Sequence, residues 1–192
     1  MNAAVLFARK DSIYKSFPDL DVWDIERNAR LWPGGCPVIA HPPCGPWANL
    51  RKFCHYRFGE RELALWAVDL VRSWGGVLEH PATSLLWPDA DLPEPGSLDE
   101  FGGFTIWISQ WWFGHKADKS TRLYICGVRP DQLPPIPFKM GAPTHVIGRS
   151  RLNRNVQHCT KSEREHTPRM LAEWLRQVAL LAGDNAEKAR AA

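Results

Sequence analysis

A single α/β domain is the fold class the sequence predicts, with a Rossmann-like, mostly parallel sheet and helices on both faces. Three observations predict it. The short apolar runs Ala3–Phe7, Val38–Ala40 and Val77–Leu78 have the length and composition of buried strands. A segment from Glu60 to Trp74 with helical periodicity stands between the last two. The length of 192 residues fits one domain with a real core.

Taken in order, Ala3–Phe7 is the first strand, and the polar, mixed stretch Ala8–Phe17 follows it. Asp21-Val22-Trp23 reads as a short second strand. Ile25–Leu31 reads as one or two helical turns, stopped by Pro33-Gly34-Gly35. Val38–Ala40 is the third strand and leads into His41-Pro42-Pro43-Cys44-Gly45-Pro46-Trp47. The two prolines stiffen that loop, and Gly45-Pro46 turns it. In the helix Glu60–Trp74, Leu63, Trp66, Ala67, Leu70, Val71 and Trp74 recur on one face, and Gly75-Gly76 ends it. Val77-Leu78 then delivers Glu79-His80-Pro81. A strand, helix, strand order favours parallel pairing, with functional groups at the C-terminal strand ends.

Pro88–Gly103, rich in proline, glycine and acid, is expected to be a loop. Phe104–Phe113 is strand-like, with a helical turn at Gln110-Trp111-Trp112, and Gly114–Thr121 is a basic loop. Arg122–Cys126 is another strand, and Pro130–Pro143, with five prolines, holds no regular element. The last helix starts near Thr167 with Pro168 at its first position. Its apolar positions are Leu171, Trp174, Leu175, Val178 and Leu181, and Gly183 closes it. The domain is expected to span 1–183, and 184–192 to be a disordered tail.

The net charge is only +3, but from Lys139 to Arg169 seven basic residues face two acidic ones, which points to a polyanion. Arg149, Arg151 and Arg154 lie in that segment. Arg51, Lys52 and Arg57, interleaved with Phe53 and Tyr56, follow the cysteine loop, and Lys116 and Lys119 precede the Arg122 strand. Basic groups among aromatics suit a nucleic-acid backbone and a flipped base, so these residues are the candidate nucleic-acid contacts. Five cysteines at irregular spacing, with no signal peptide ahead of them, predict reduced thiols in a cytoplasm. No segment is long and apolar enough to predict a membrane span. Paired metal-ligand spacings are missing, and Trp47 stands where a deaminase would place its second cysteine, so no metal is expected.

Cys44 and Glu79 each follow a predicted strand, with one helix between those strands. A thiolate that attacks C6 of a pyrimidine makes C5 nucleophilic, and a carboxyl group at N3 stabilises the charge that builds there. His41-Pro42-Pro43-Cys44 followed by Leu78-Glu79-His80-Pro81 resembles the core of the cytosine-5 DNA methyltransferases. The stretch from Phe113-Gly114-His115 to Arg122-Leu123-Tyr124-Ile125-Cys126-Gly127 is similar to a third motif of that family, with Arg122 as its last arginine. The resemblance covers 36–127 and implies a DNA (cytosine-5-)-methyltransferase-like transferase with Cys44, Glu79 and Arg122 as catalytic residues. It also implies S-adenosylmethionine as cofactor, contacted by Phe7, Asp24, Glu26 and Pro42, with Asp24 or Glu26 at the ribose. Compact versions of this core in phages and prophages match the size. The implied setting is a bacterial or phage-infected cytoplasm.

Ala8 to Tyr14, where the family has its glycine-rich cofactor turn, contains no glycine, and His80 stands in the place of the family's asparagine. Two other readings therefore stay open. One is C5 modification of a pyrimidine with another donor or on a free nucleotide. The other is a catalytically inert DNA-binding protein that keeps the fold.

Overall fold

The computed structural model describes residues 3–49, 51–53, 55–148 and 156–191. Strands β1 (Ala3–Ala8), β2 (Leu20–Asp24) and β3 (Val38–Ala40) come first. Helix α1 (Glu60–Trp74), strand β4 (Gly76–Pro81) and a four-residue helix α2 (Leu86–Asp89) follow. Strands β5 (Phe104–Ser109) and β6 (Ser120–Cys126) complete a six-stranded sheet of order β2-β1-β3-β4-β6-β5. Strands β7 (His145–Val146) and β8 (Gln157–His158) pair by themselves, and helices α3 (Lys161–Glu165) and α4 (Arg169–Ala191) end the chain.

The sheet is mixed. β2, β1, β3 and β4 pair in parallel, whereas β6 runs antiparallel to β4 and β5 antiparallel to β6. The expectation of a mostly parallel sheet is met by the first four strands, and chain length explains why the last two reverse. A parallel neighbour needs a crossover of roughly a dozen or more residues, usually a helix. Only residues 110–119 join β5 to β6, and they hold one 3-10 turn, Gln110–Phe113.

Strand alternation sorts the core into two layers. Val5, Ile39, Val77 and Ile125 stand in register across four strands and pack against Leu171, Leu175 and Val178 of α4. Ala4, Val38, Leu78 and Tyr124 turn the other way, against Ala64, Ala67 and Val71 of α1. With helices covering both faces, the strands read as continuous apolar runs rather than alternating ones.

α4 extends past its expected end. Gly183 lies inside the helix, which continues to Ala191, where a disordered tail was expected. A helical glycine costs about 1 kcal/mol relative to alanine, which is why it reads as a stop. Here tertiary contacts offset that cost. Ala182 is buried against Gly75 and Gly127, and Asn185 Nδ2 donates to the Gly127 carbonyl at 3.0 Å and to Gln132 Oε1 at 3.1 Å. None of the helices among the described residues is long and apolar enough to cross a membrane.

Gly75 and Gly76 join α1 to β4 at φ +77° and +113°. A Cβ on Gly76 would lie 2.1 Å from the Val38 carbonyl oxygen and 2.7 Å from the Val38 nitrogen. Those are backbone atoms of the neighbouring strand and cannot rotate away. Gly76→Ala is therefore expected to destabilise the fold by about 3–5 kcal/mol, combining left-handed strain with a backbone clash. A urea titration checks this, and Gly35→Ala, which meets nothing within 4 Å, controls for positive φ alone.

Candidate active site

β3 ends under the cysteine loop. The His41 N–H donates to the Leu6 carbonyl at 3.1 Å, so the chain leaves the sheet at His41. Pro42 and Pro43 keep it extended to Cys44, and a 3-10 turn, Gly45–Trp47, follows. Trp47 is wholly buried, donates from Nε1 to the Arg61 carbonyl at 3.2 Å and has the Arg61 guanidinium over its ring at 4.2 Å. The Trp47 carbonyl accepts from the Leu85 N–H at 2.9 Å. The loop is thus clamped from α1 and from the segment after β4, with Cys44 left exposed at its tip.

β4 is paired parallel to β3, so its C-terminal end emerges beside that loop. Cys44, Glu79, His41, His80, Tyr14 and Lys119 line one cleft of about 540 Å³. The structure therefore brings together the two residues that the sequence pairs, Cys44 and Glu79.

Glu79 sits in a nearly closed hydrogen-bond chain. Its Oε2 lies 3.0 Å from His41 Nδ1, and His41 Nε2 lies 3.0 Å from the Tyr14 hydroxyl. Its Oε1 accepts from Gln110 Nε2 at 2.9 Å, and the same nitrogen donates to Thr121 Oγ1 at 3.1 Å. Burial pushes the carboxyl upward, but the Lys119 charge and the His41 hydrogen bond outweigh it and hold Glu79 at about 2. The site presents a fixed carboxylate. Burial, and then the Glu79 charge, raises the Tyr14 phenol well above its ordinary value, so Tyr14 stays protonated.

The Cys44 thiol is raised, first by burial and then by the Glu79 charge, with Lys119 pulling the other way. The residue is exposed at the rim, but its sulfur sits deep enough in the cleft to feel both effects. His80 is fully buried, edge-on to Trp87 at 6.5 Å, and neither ring nitrogen has a partner in hydrogen-bond geometry, although the Pro43 backbone favours its protonated form. Burial lowers His80 to about 4 against the pull of Glu79.

Both depressed values make the fold sensitive to acid. A group whose folded-state value lies below its ordinary one contributes fully above the ordinary value and loses that contribution as pH falls through the folded one. The His80 window runs from 6.5 to about 4, and the Glu79 window from 4.5 to about 2. Each shift corresponds to on the order of 3 kcal/mol. Stability measured by urea titration is expected to fall in two stages across these windows, and Glu79→Gln is expected to remove the lower one.

Arg122 does not line the cleft. It lies opposite His80 in register, pairs with Glu94 at 3.0 Å and stands 5.8 Å from the Trp87 ring. Strand alternation explains the placement, because Thr121 faces Gln110 and Glu79 while the next residue points to the opposite face. The cation that acts on Glu79 is Lys119, which the sequence suggests only as a nucleic-acid contact.

Of the expected cofactor residues, Phe7 and Asp24 line a second cavity of about 450 Å³ that adjoins the cleft at Phe7 and Pro43, Pro42 lines the cleft itself, and Glu26 lines neither. Phe7, inside β1, has φ +62° at a bulge where the register against β2 shifts between Leu6 and Ala8. Asp24 does not fit a ribose: it is buried, with Oδ2 taken by Lys15 at 2.6 Å and Oδ1 by the N–H groups of Glu26 and Arg27 at 3.0 and 3.2 Å, so it offers S-adenosylmethionine no open carboxylate. Glu26 is exposed and pairs with Lys10 at 2.6 Å on the surface.

Of the expected nucleic-acid contacts, Arg57 lines the second cavity, Lys52 is exposed and Arg51 is half-buried in a 3-10 turn. Lys116 pairs with Glu163. Arg149, Arg151 and Arg154 lie outside the described residues. Among the described residues no three His, Cys, Asp or Glu side chains group as metal ligands. Sequence reasoning missed Tyr14, His41, Gln110 and Thr121. Only His41 left a signal, as the polar residue directly after a buried strand. Compared with known proteins, the chain matches no family model and no curated protein.

Proposed function

We propose that the chain is a Rossmann-like, cytosine-5 DNA methyltransferase-like protein that adds Cys44 to C6 of a pyrimidine base in DNA, with Glu79 at N3. One observation carries this reading: Cys44 and an ionised Glu79, on adjacent strand ends, line one cleft with Lys119 beside them. Each oxygen of Glu79 keeps a lone pair after its protein partner is counted. A carboxylate with two open lone pairs favours an edge with two donors, which cytosine presents as its N4 amino group and a protonated N3. Uracil presents a carbonyl where cytosine has the amino group and would meet repulsion.

Protonation of the base also acts on the nucleophile. As N3 takes up its proton during attack, it offsets the Glu79 charge that helps to raise the Cys44 thiol, while Lys119 continues to favour the thiolate. Protonation at N3 and attack by Cys44 are thereby coupled. A second reading, C5 modification without S-adenosylmethionine, is favoured by the occupied carboxylate of Asp24.

A base that needs no donor tests the reading. In 5-azacytosine the ring nitrogen at position 5 takes a proton after attack at C6, so the adduct persists without a methyl group. A covalent adduct with a 5-azacytosine oligonucleotide is expected. Adduct with the free nucleotide but not with DNA would move the substrate to the nucleotide pool.

A further inference from the structure

Glu79 approaches the base without a proton, yet the adduct needs one at N3. When Cys44 Sγ bonds to C6, the C5=C6 pair moves to C4=C5 and the N3=C4 pair moves onto N3, which is then protonated. The proton must come from a group in contact with Glu79. Gln110 holds Oε1 through an amide that does not titrate, and its donor end is fixed by Thr121. His80 has no hydrogen bond to Glu79 and turns toward Trp87. Lys119 acts on Glu79 through its charge, with no hydrogen bond between them among the described contacts. His41 remains, 3.0 Å from Oε2, and imidazole is the side chain that exchanges a proton near neutrality.

We infer that His41 is a positioning residue that stores a proton and supplies it to N3 through Glu79, with the Tyr14 hydroxyl fixing the imidazole; this rests on the pyrimidine reading. The imidazolium passes its Nδ1 proton to Oε2, and Glu79 hands that same proton on to N3. The neutral ring keeps its Nε2 proton on the Tyr14 oxygen, 3.0 Å away. The thiol proton goes to solvent, so the two protons that start on Cys44 and His41 end on water and N3. Tyr14 comes from the turn after β1, and it is buried, with the ring centroids of Tyr14 and His41 5.4 Å apart. No oxidant, metal or donor is required.

The titratable groups around His41 come from several elements. Tyr14 and Glu79 bond to it directly. Cys44, His55, Glu60, His80 and Lys119 line the same cleft, and Arg9, Lys161, Arg164, Glu165 and His166 stand at its mouth. Arg9 and Glu165 pair with each other. Any of these can tilt a pH profile, so the test must remove the His41 proton alone.

The test is loss of tritium from C5 of cytosine in a labelled oligonucleotide, followed against pH without a donor. A rate that needs both a thiolate and an imidazolium is bell-shaped. In His41→Asn the amide still donates to Glu79 but stores no proton. The expected result is a rate about 100-fold lower at the optimum, with the alkaline fall abolished so that the rate rises with pH and levels off. Tyr14→Phe, a milder change that serves if His41→Asn does not fold, is expected to keep the bell and lose about tenfold at its top. A bell unchanged in His41→Asn, or an unchanged rate in Tyr14→Phe, overturns this inference alone. No exchange in the wild type overturns both it and the pyrimidine reading.

Discussion

Cys44→Ser is expected to abolish C5 hydrogen exchange and adduct formation, lowering the exchange rate by at least about 10³-fold. A serine hydroxyl ionises far above the thiol, and the local field makes this worse. The Glu79 charge that already raises the Cys44 thiol would oppose an alkoxide as well. Among the described residues no base stands within hydrogen-bond distance of Cys44 to take a hydroxyl proton. The substitution changes one atom at a loop tip whose anchors are Trp47 and Arg61, so stability is expected to stay within about 0.5 kcal/mol. Tritium release and a urea titration on the same sample separate lost chemistry from lost fold.

Glu79→Gln is expected to lower exchange by about 10²–10⁴-fold. The amide keeps the shape and accepts from His41, but it presents an N–H where the carboxylate had an open lone pair. It cannot hold a protonated N3, and it leaves Lys119 without its counter-charge. The same change is expected to raise thiol reactivity. With the Glu79 charge gone, an upward push on Cys44 is removed and Lys119 acts unopposed, so alkylation by iodoacetamide near neutrality is expected to speed up. Exchange falls while alkylation rises. A general collapse of the site would not move the two in opposite directions in this way, with slower catalysis alongside faster, still Cys44-directed, modification.

The sequence made the strand ends legible because they rest on local signals. Apolar runs bounded by prolines and glycines mark β3 and β4, and the intervening helix forces their parallel pairing, so Cys44 and Glu79 meet as the spacing implies. The sequence was silent where contacts are long-range. Gln110 and Thr121 reach Glu79 only because β5 and β6 return antiparallel, which depends on the length of their connection. That same reversal places Lys119 in the cleft and turns Arg122 out of it toward Glu94. A one-residue alternation decides which cation serves the site, and an arginine matched by motif cannot reveal it. Gly183 shows the opposite error, a strong local stop signal overridden by packing against Pro37 and by the bond from Asn185 to Gly127.

The site departs from the resemblance where the cofactor is concerned. The Cys44 cleft holds a thiol, a fixed carboxylate and a cation, whereas Asp24 is spent on Lys15 and nearby backbone. Pyrimidine chemistry and methyl transfer are therefore separate questions in this chain, and a donor-free probe isolates the first.

The most direct test is peptide mapping by mass spectrometry after incubation of the wild-type chain with a 5-azacytosine oligonucleotide. The expected result is one modified peptide, carrying the base on Cys44, and no modification of Cys36, Cys54, Cys126 or Cys159. An unmodified Cys44, or label spread over the other cysteines, would contradict the assignment of this cleft to pyrimidine C6.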